Sequence, residues 1–183
     1  MTQDAKPALT PEVGAMIGVA GDVVECWGVV DKEYLRRFTQ AVMDPDPRYW
    51  DEAFAETTRY SELIAPPIMV SYMPTRLSPS EGDPVTQAFL ENPHYDGFAG
   101  IGGEGSLPSL PTHLTRVLNA GNGMEIYKYP RLGDKIYFQN KYADIQEREG
   151  RDGNLFLIVT IETTFSNQDD VVLCKTRASL IRR

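Results

Sequence analysis

Three carboxylates fall inside the eight-residue stretch Asp44-Pro45-Asp46-Pro47-Arg48-Tyr49-Trp50-Asp51. Carboxylates grouped in this way can move protons, or they can hold a turn by accepting from backbone N–H groups. Asp44 allows two readings. In the structural one it caps the next turn while Asp46 holds the proline corner. In the functional one it is an acid beside a ligand pocket, but an acid alone does not supply the acid–base couple that eliminating water requires. The nearby Tyr49, Trp50, Phe54, Tyr60 and Tyr72 read as packing residues, with one or two lining a ligand.

Other chemistry is sparse. His94 and His113 are the only histidines, and neither has a second histidine at metal-ligand spacing, so no metal site is expected. No serine elbow or cysteine–histidine pairing appears. Gly97, Gly100, Gly102, Gly103 and Gly105 follow no strand at dinucleotide-binding spacing, and they read as backbone turns rather than a phosphate cradle.

The elements that must position these residues follow from periodicity. Residues 1–12 show little of it and read as a loose arm. Residues 23–30 read as a strand leading into a helix over 32–42, with Asp31 as its N-cap and Tyr34, Leu35, Phe38, Ala41 and Val42 on an apolar face. Pro45 and Pro47 stop that helix, and a short helix follows over 51–57. Pro67 suits the first turn of another helix reaching roughly residue 77, which Pro74 should kink or truncate. Residues 78–118 are rich in proline and glycine, with a short helix expected at 85–90. So long an irregular stretch is a site-lining loop or disordered, and Leu107, Leu110 and Leu114 favour partial packing.

Strands are expected at 124–129, 135–147, 154–167 and 171–182. Leu155, Leu157, Val159, Ile161, Thr163 and Phe165 alternate onto one face of the third. Turns at 150–153 and 168–170 join the last three into an antiparallel meander. Helices followed by antiparallel strands give an α+β domain over 13–183.

Composition bounds the rest. The 183 residues are 42% hydrophobic and 24% charged, which suits one globular domain. A net charge of −8 argues against nucleic acid as the main partner. No apolar run is long enough to span a bilayer, and no secretory leader is expected. Cys26 and Cys174 read as reduced thiols in strands, as in a cytoplasmic protein.

These pieces resemble the MaoC-like, hot-dog-fold hydratase/dehydratase family, and more closely its proline-rich N-terminal subgroup. The resemblance rests on 32–38, 44–55, Leu63-Ile64-Ala65-Pro66-Pro67, Tyr129-Pro130-Arg131-Leu132-Gly133-Asp134 and the final three strands. It implies an antiparallel sheet wrapped around a central helix, here shortened or kinked. It also matches Asp44 to the family's catalytic aspartate and puts Tyr49 where the catalytic histidine stands. A phenol titrating near 10 is a poor base at neutral pH. Ala65-Pro66-Pro67 further replaces the alanine-histidine-glycine that often starts the central helix. The resemblance therefore implies the acyl-binding half of a shared enoyl-CoA hydratase. A hot-dog partner would supply the intact Asp–His pair, and Tyr49, Met69, Tyr72 and Met73 would neighbour the acyl group. No cofactor is implied beyond the coenzyme A of the thioester, with an acyl carrier protein as the second choice of carrier. Three other arrangements remain open: a self-sufficient hydratase using His94 or His113 as base, a thioester-binding or structural hot-dog protein, and a homodimer if no partner exists.

Overall fold

A computed structural model of the chain describes residues 7–74, 90–91, 93 and 107–183. Five antiparallel strands form one sheet in the order β1-β3-β4-β5-β2. They are β1 (Val24–Val29), β2 (Val117–Ile126), β3 (Lys135–Glu149), β4 (Leu155–Asn167) and β5 (Val172–Arg182). The helical segments are short: α1 (Pro11–Gly14), α2 (Lys32–Ala41), α3 (Glu52–Glu56) and α4 (Pro67–Val70), with a 3-10 turn at Pro47–Tyr49.

The caps fall where the sequence predicts them. Asp31 accepts from the Tyr34 N–H at 2.7 Å and starts α2, and Asp51 accepts from the Phe54 N–H at 3.0 Å and starts α3. The buried face of α2 is the expected one at Tyr34, Leu35 and Phe38, which face the first core, and departs from it at the C-terminal end, where Ala41 and Val42 are exposed and Thr39 turns inward. Leu35 and Thr39 are fully buried, whereas Val42 is exposed. The Thr39 hydroxyl donates to the Leu35 carbonyl at 2.8 Å, which is how a polar side chain enters the core unpenalised.

β3 and β4 form a long hairpin that stays paired from Ile136↔Asn167 to Glu149↔Leu155. The β4–β5 turn is closed by the Asn167 side chain, which accepts from the N–H groups of Asp169 and Val171. β2 begins at Val117, seven residues before the strand expected at 124–129. The glycines conceal it. Gly121, with φ 144°, sits at a register shift opposite β5, where the strand bulges.

The helix-bearing face of the sheet carries two cores. In the first, Leu35, Tyr49, Ile64, Met69, Val70 and Met73 pack on Ile136, Phe138, Phe165 and Leu173. In the second, Tyr142, Ile145, Leu157 and Val159 are covered by Ala8 and Val13, with Leu107, Leu110 and Leu114 against them. The arm expected to be loose over 1–12 is thus packed over its described part. The Glu147 carboxylate accepts from the Ala8 and Leu9 N–H groups at 2.6 and 2.8 Å, and Val13 is fully buried.

The helix expected over 67–77 is the single turn α4, followed by hydrogen-bonded turns through Met73. Residues 75–77, the helix expected at 85–90 apart from Leu90, and most of the 78–118 excursion lie outside the described residues. Among the described residues no helix is long and apolar enough to cross a membrane.

Candidate functional site

The corner that follows α2 opens on a strained residue. Met43 has φ 55°, and the Asp44 N–H reaches back to the Thr39 carbonyl at 2.9 Å. This is the left-handed helix terminator usually occupied by glycine. Met43 is 85% exposed and lines a cleft of about 510 Å³ shared with Asp44 and Trp50.

Beyond Met43 the charged groups of the corner are engaged. The Asp44 carboxylate accepts from the Asp46 N–H at 3.1 Å, and the Asp44 carbonyl accepts from the Trp50 indole N–H at 2.9 Å. Asp46 accepts from the Arg48 N–H at 3.0 Å. It also takes the Arg48 guanidinium on both oxygens, with Nε at 3.0 and 2.9 Å and Nη2 on Oδ2. That fork holds the Asp46 carboxyl below the usual carboxylate range and pushes Arg48 up in turn. The guanidinium lies 5.8 Å from the Tyr49 ring centroid and 5.5 Å from that of Tyr129, close enough for cation–π attraction.

Tyr49 points into the first core and is 7% exposed. Burial pushes its phenol up to about 12, against a smaller opposing pull from Arg48. A phenol so placed stays protonated at neutral pH and is no general base.

The segment 63–67 passes behind the corner fully buried. The Ile64 N–H donates to the Arg48 carbonyl at 3.3 Å, and the Ala65 N–H donates to Pro130 at 2.9 Å. Pro66 and Pro67 then start α4 with no side-chain cap and no N–H of their own. The loop receiving Ala65 is held by Asp134, whose carboxylate accepts from the Arg131 N–H at 2.8 Å. It is tied to the end of β1 by the Val30–Gly133 and Val30–Asp134 backbone bonds.

Of the residues expected near an acyl group, the structure brings Tyr49, Met69 and Met73 into one core. Tyr72 lies apart, 56% exposed, with its ring 5.5 Å from Phe38. His113 is exposed, in the segment whose leucines cover the second core, and it makes no hydrogen bond to Asp44. His94 lies outside the described residues. Among the described residues there is no group of His, Cys, Asp or Glu that could hold a metal ion. Sequence reasoning missed Arg48, whose i+2 spacing from a carboxylate across a proline was the available signal. It also missed Met43, for which the sequence carried none.

An aspartate just past the end of a helix, a proline corner and a buried segment behind it are the frame of the candidate site. The model of the family described as FAS1-like, dehydratase domain region, matches residues 15–176. The chain belongs to that family. Among solved structures, the ChsH1–ChsH2 complex from Mycobacterium tuberculosis matches with a TM-score of 0.64 at 13% identity, covering 93% of this chain and 90% of that one. A MaoC-like dehydratase from Rhodospirillum rubrum matches at 0.58 and 18% identity, covering 91% and 93%. The HadBC (3R-hydroxyacyl-ACP dehydratase) complex from Mycobacterium tuberculosis matches at 0.55 and 18% identity, covering 91% and 96%. A search of curated protein sequences finds no match. The fold is the hot-dog fold of MaoC-like dehydratases, with a five-stranded sheet and a central helix reduced, in its described part, to α4.

Proposed function

We propose that this FAS1-like dehydratase-region chain is the acyl-binding, non-catalytic subunit of a heteromeric enoyl-CoA hydratase. In that reaction water adds across a trans-2-enoyl thioester to give a 3-hydroxyacyl thioester. The observation that carries the reading is Tyr49. It stands where the family resemblance calls for the histidine base, it is buried in the core, and its phenol is held at about 12. Asp44 is equally committed, since its carboxylate caps Asp46. The Asp–His couple then comes from a hot-dog partner subunit, while this chain contributes apolar wall from the core around Met69 and Met73. Two of the similar folds are described as complexes, ChsH1–ChsH2 and HadBC, which supports a paired arrangement. The single-turn α4, where a longer helix is expected, supports a bulky or long acyl group, as in steroid or other lipid degradation, carried on coenzyme A or, second, on an acyl carrier protein.

Co-purification followed by hydration assays tests this. The chain alone should be inactive on enoyl-CoA substrates, and its complex with a hot-dog protein carrying an intact Asp–His pair should be active. Hydration by the well-folded chain alone at the rate of the mixture would overturn the proposal and point to a self-sufficient hydratase. A chain that binds thioesters but captures no partner would point to a binding protein.

A further inference from the structure

The end of the sheet farthest from the corner holds an unusual row of charge. Arg148 on β3 is directly opposite Phe156 on β4. Leu157 faces Arg182 on β5, so continuing that register by one residue sets Phe156 opposite Arg183. Arg183 and Arg116 exchange both backbone hydrogen bonds at 3.0 Å. Residues opposite one another across antiparallel strands share a face. Arg148, Phe156, Arg183 and Arg116 therefore form one line on the outer face of the sheet, away from both cores, and its ends lie about 14 Å apart at the usual strand spacing.

Arg151, in the β3–β4 turn, and Arg183 border a cleft of about 430 Å³ whose apolar wall is Phe156, Ile181 and Leu118. Among the described residues none of Arg116, Arg148, Arg151 and Arg183 makes a salt bridge. Arg148 reaches only the Gln146 side chain at 2.5 Å and the Glu147 carbonyl at 3.4 Å. The carboxylate in the cleft, Asp152, is taken by the N–H and side-chain amide of Asn154 at 3.2 and 2.8 Å. Glu147 and Glu149 alternate onto the opposite face, and Glu147 there holds the N-terminal arm. Asp144, two rows in, is bonded to Gln146.

Like charges directly opposite one another in a sheet destabilise it. A chain of net charge −8 has ample carboxylate to neutralise four arginines, yet here only Asp152 stands near them, feeling Arg183 through space while its hydrogen bonds go to Asn154. Local rules are broken in this way where a ligand supplies the missing partner. Guanidinium groups pair with phosphate oxygens through two parallel hydrogen bonds, and an aromatic ring between two of them offers a stacking surface for a planar base.

We propose that this end of the outer sheet face binds a nucleotide-class ligand, with two or more phosphates on the arginines and its ring against Phe156. The site is independent of the acyl-binding reading. The ligand chemistry is shared by a free nucleoside polyphosphate and by the nucleotide end of a coenzyme thioester, and the test separates them. The cleft's size favours a small molecule, since a stable protein partner needs about 800 Å² on each side.

Calorimetric titration of the full chain with ATP, coenzyme A and inorganic phosphate is the experiment. Binding of either nucleotide should be sub-millimolar and should weaken with added salt. It should be lost roughly tenfold or more in Arg183→Gln and again in Arg148→Gln. Tighter binding of coenzyme A than of ATP, abolished by the same substitutions, assigns the source as the coenzyme; the reverse order assigns a free nucleotide. Phe156→Leu should narrow the gap between nucleotide and inorganic phosphate. Arg116→Gln provides a folding control that also bears on the idea, because relief of the opposed charges should raise the melting temperature by about 1–3 °C at low salt. The proposal is overturned by any of three results: no nucleotide binding at millimolar concentration, ATP binding that survives Arg183→Gln, or phosphate binding as tight as that of ATP. Direct binding of an acidic polypeptide, lost in Arg183→Gln and without any nucleotide binding, would likewise overturn it and reassign the face to a protein partner.

Discussion

The corner at 44–51 and the arginine row at the far end of the sheet both present charged side chains beside apolar surface, yet they differ in one respect. At the corner each charge is matched within a few residues: Asp44 by the Asp46 N–H, Asp46 by Arg48, Asp51 by the Phe54 N–H. In the far row Arg183 and Arg116 face each other, and Arg148 faces Phe156. A matched charge has its interaction free energy committed to the fold, whereas an unmatched one still has it available to a ligand. The corner, which attracts notice in the sequence because its residues could do chemistry, is thus built as structure.

The sharpest way to break that comparison is Tyr49. Truncation to alanine should cost about 3–5 kcal/mol, the usual range for a buried aromatic. Tyr49→Phe should cost far less, within about 1 kcal/mol, and should leave hydration by the paired complex unchanged. A large loss of turnover in Tyr49→Phe with an unchanged melting temperature would show that the hydroxyl acts in catalysis and that the corner is a site after all. Alkali gives an independent check. The phenol is raised from 10.0 to about 12 on folding, so its contribution is fully present below pH 10 and is lost as pH rises through about 12. The buried Cys174 thiol, raised from 9.0 to about 12, adds a loss beginning above pH 9. Tyr49→Phe should remove the upper part of this alkaline slope, as read by denaturant midpoints between pH 8 and 12.

Next in size is the fork between Asp46 and Arg48. Arg48→Ala removes three charge-assisted contacts to Asp46 and two ring contacts, and should cost about 2 kcal/mol by chemical denaturation. Asp46 has its carboxyl lowered by the Arg48 hydrogen bond. Its stabilisation is therefore present above the ordinary carboxylate pKa near 4 and is lost as pH falls through the depressed value. Asp46→Asn should flatten the acid limb of the stability profile. An unaltered acid limb would mean that the fork holds nothing in place.

How far the sequence discloses this design depends on the kind of signal. Capped starts at Asp31 and Asp51, and the period-two alternation from Leu155 to Phe165, are local, and the structure places those elements within a residue or two of expectation. β2 was hidden because Gly121 and Gly123 erase the apolar alternation over its first seven residues, and its pairing with β5 is set by tertiary contact. The packed arm was hidden for a similar reason: Ala8 and Val13 are too few to mark an element, and Glu147, which accepts from the Ala8 N–H, lies 139 residues away. In the candidate site the residue types were legible and their commitments were not. Asp44 reads identically whether it caps a turn or activates water, and only the position of the Asp46 N–H distinguishes the two. The arginine row exists only as a register between strands, so no linear motif carries it.

The arm sharpens the comparison from the other side, since it lies across the sheet from the arginine row. Glu147→Ala leaves the Ala8 and Leu9 N–H groups without their acceptor. The cost should be about 1–2 kcal/mol. Limited proteolysis should then cleave near residues 7–12 before any global unfolding, and nucleotide binding on the outer face should be unchanged. Loss of that binding together with the arm would show that the two faces are coupled.

The smallest expected effect, and the only stabilising one at the corner, is Met43→Gly. A non-glycine residue held in the left-handed region costs on the order of 1 kcal/mol or more, partly offset in glycine by the greater freedom of its unfolded chain. Met43 buries little, being 85% exposed, so packing loss does not cancel the gain. Met43→Gly should therefore raise stability by about 0.5–1 kcal/mol. The methionine persists at a terminator that glycine would fill more comfortably, and its side chain stands at the lip of the cleft beside Asp44. If the corner is only structural, the glycine variant should be more stable and fully active in the paired complex. If the variant is more stable but the complex binds its thioester more weakly, the strain is held for the sake of that side chain. The lip of the cleft, rather than the carboxylates behind it, would then be the part of the corner that meets the ligand.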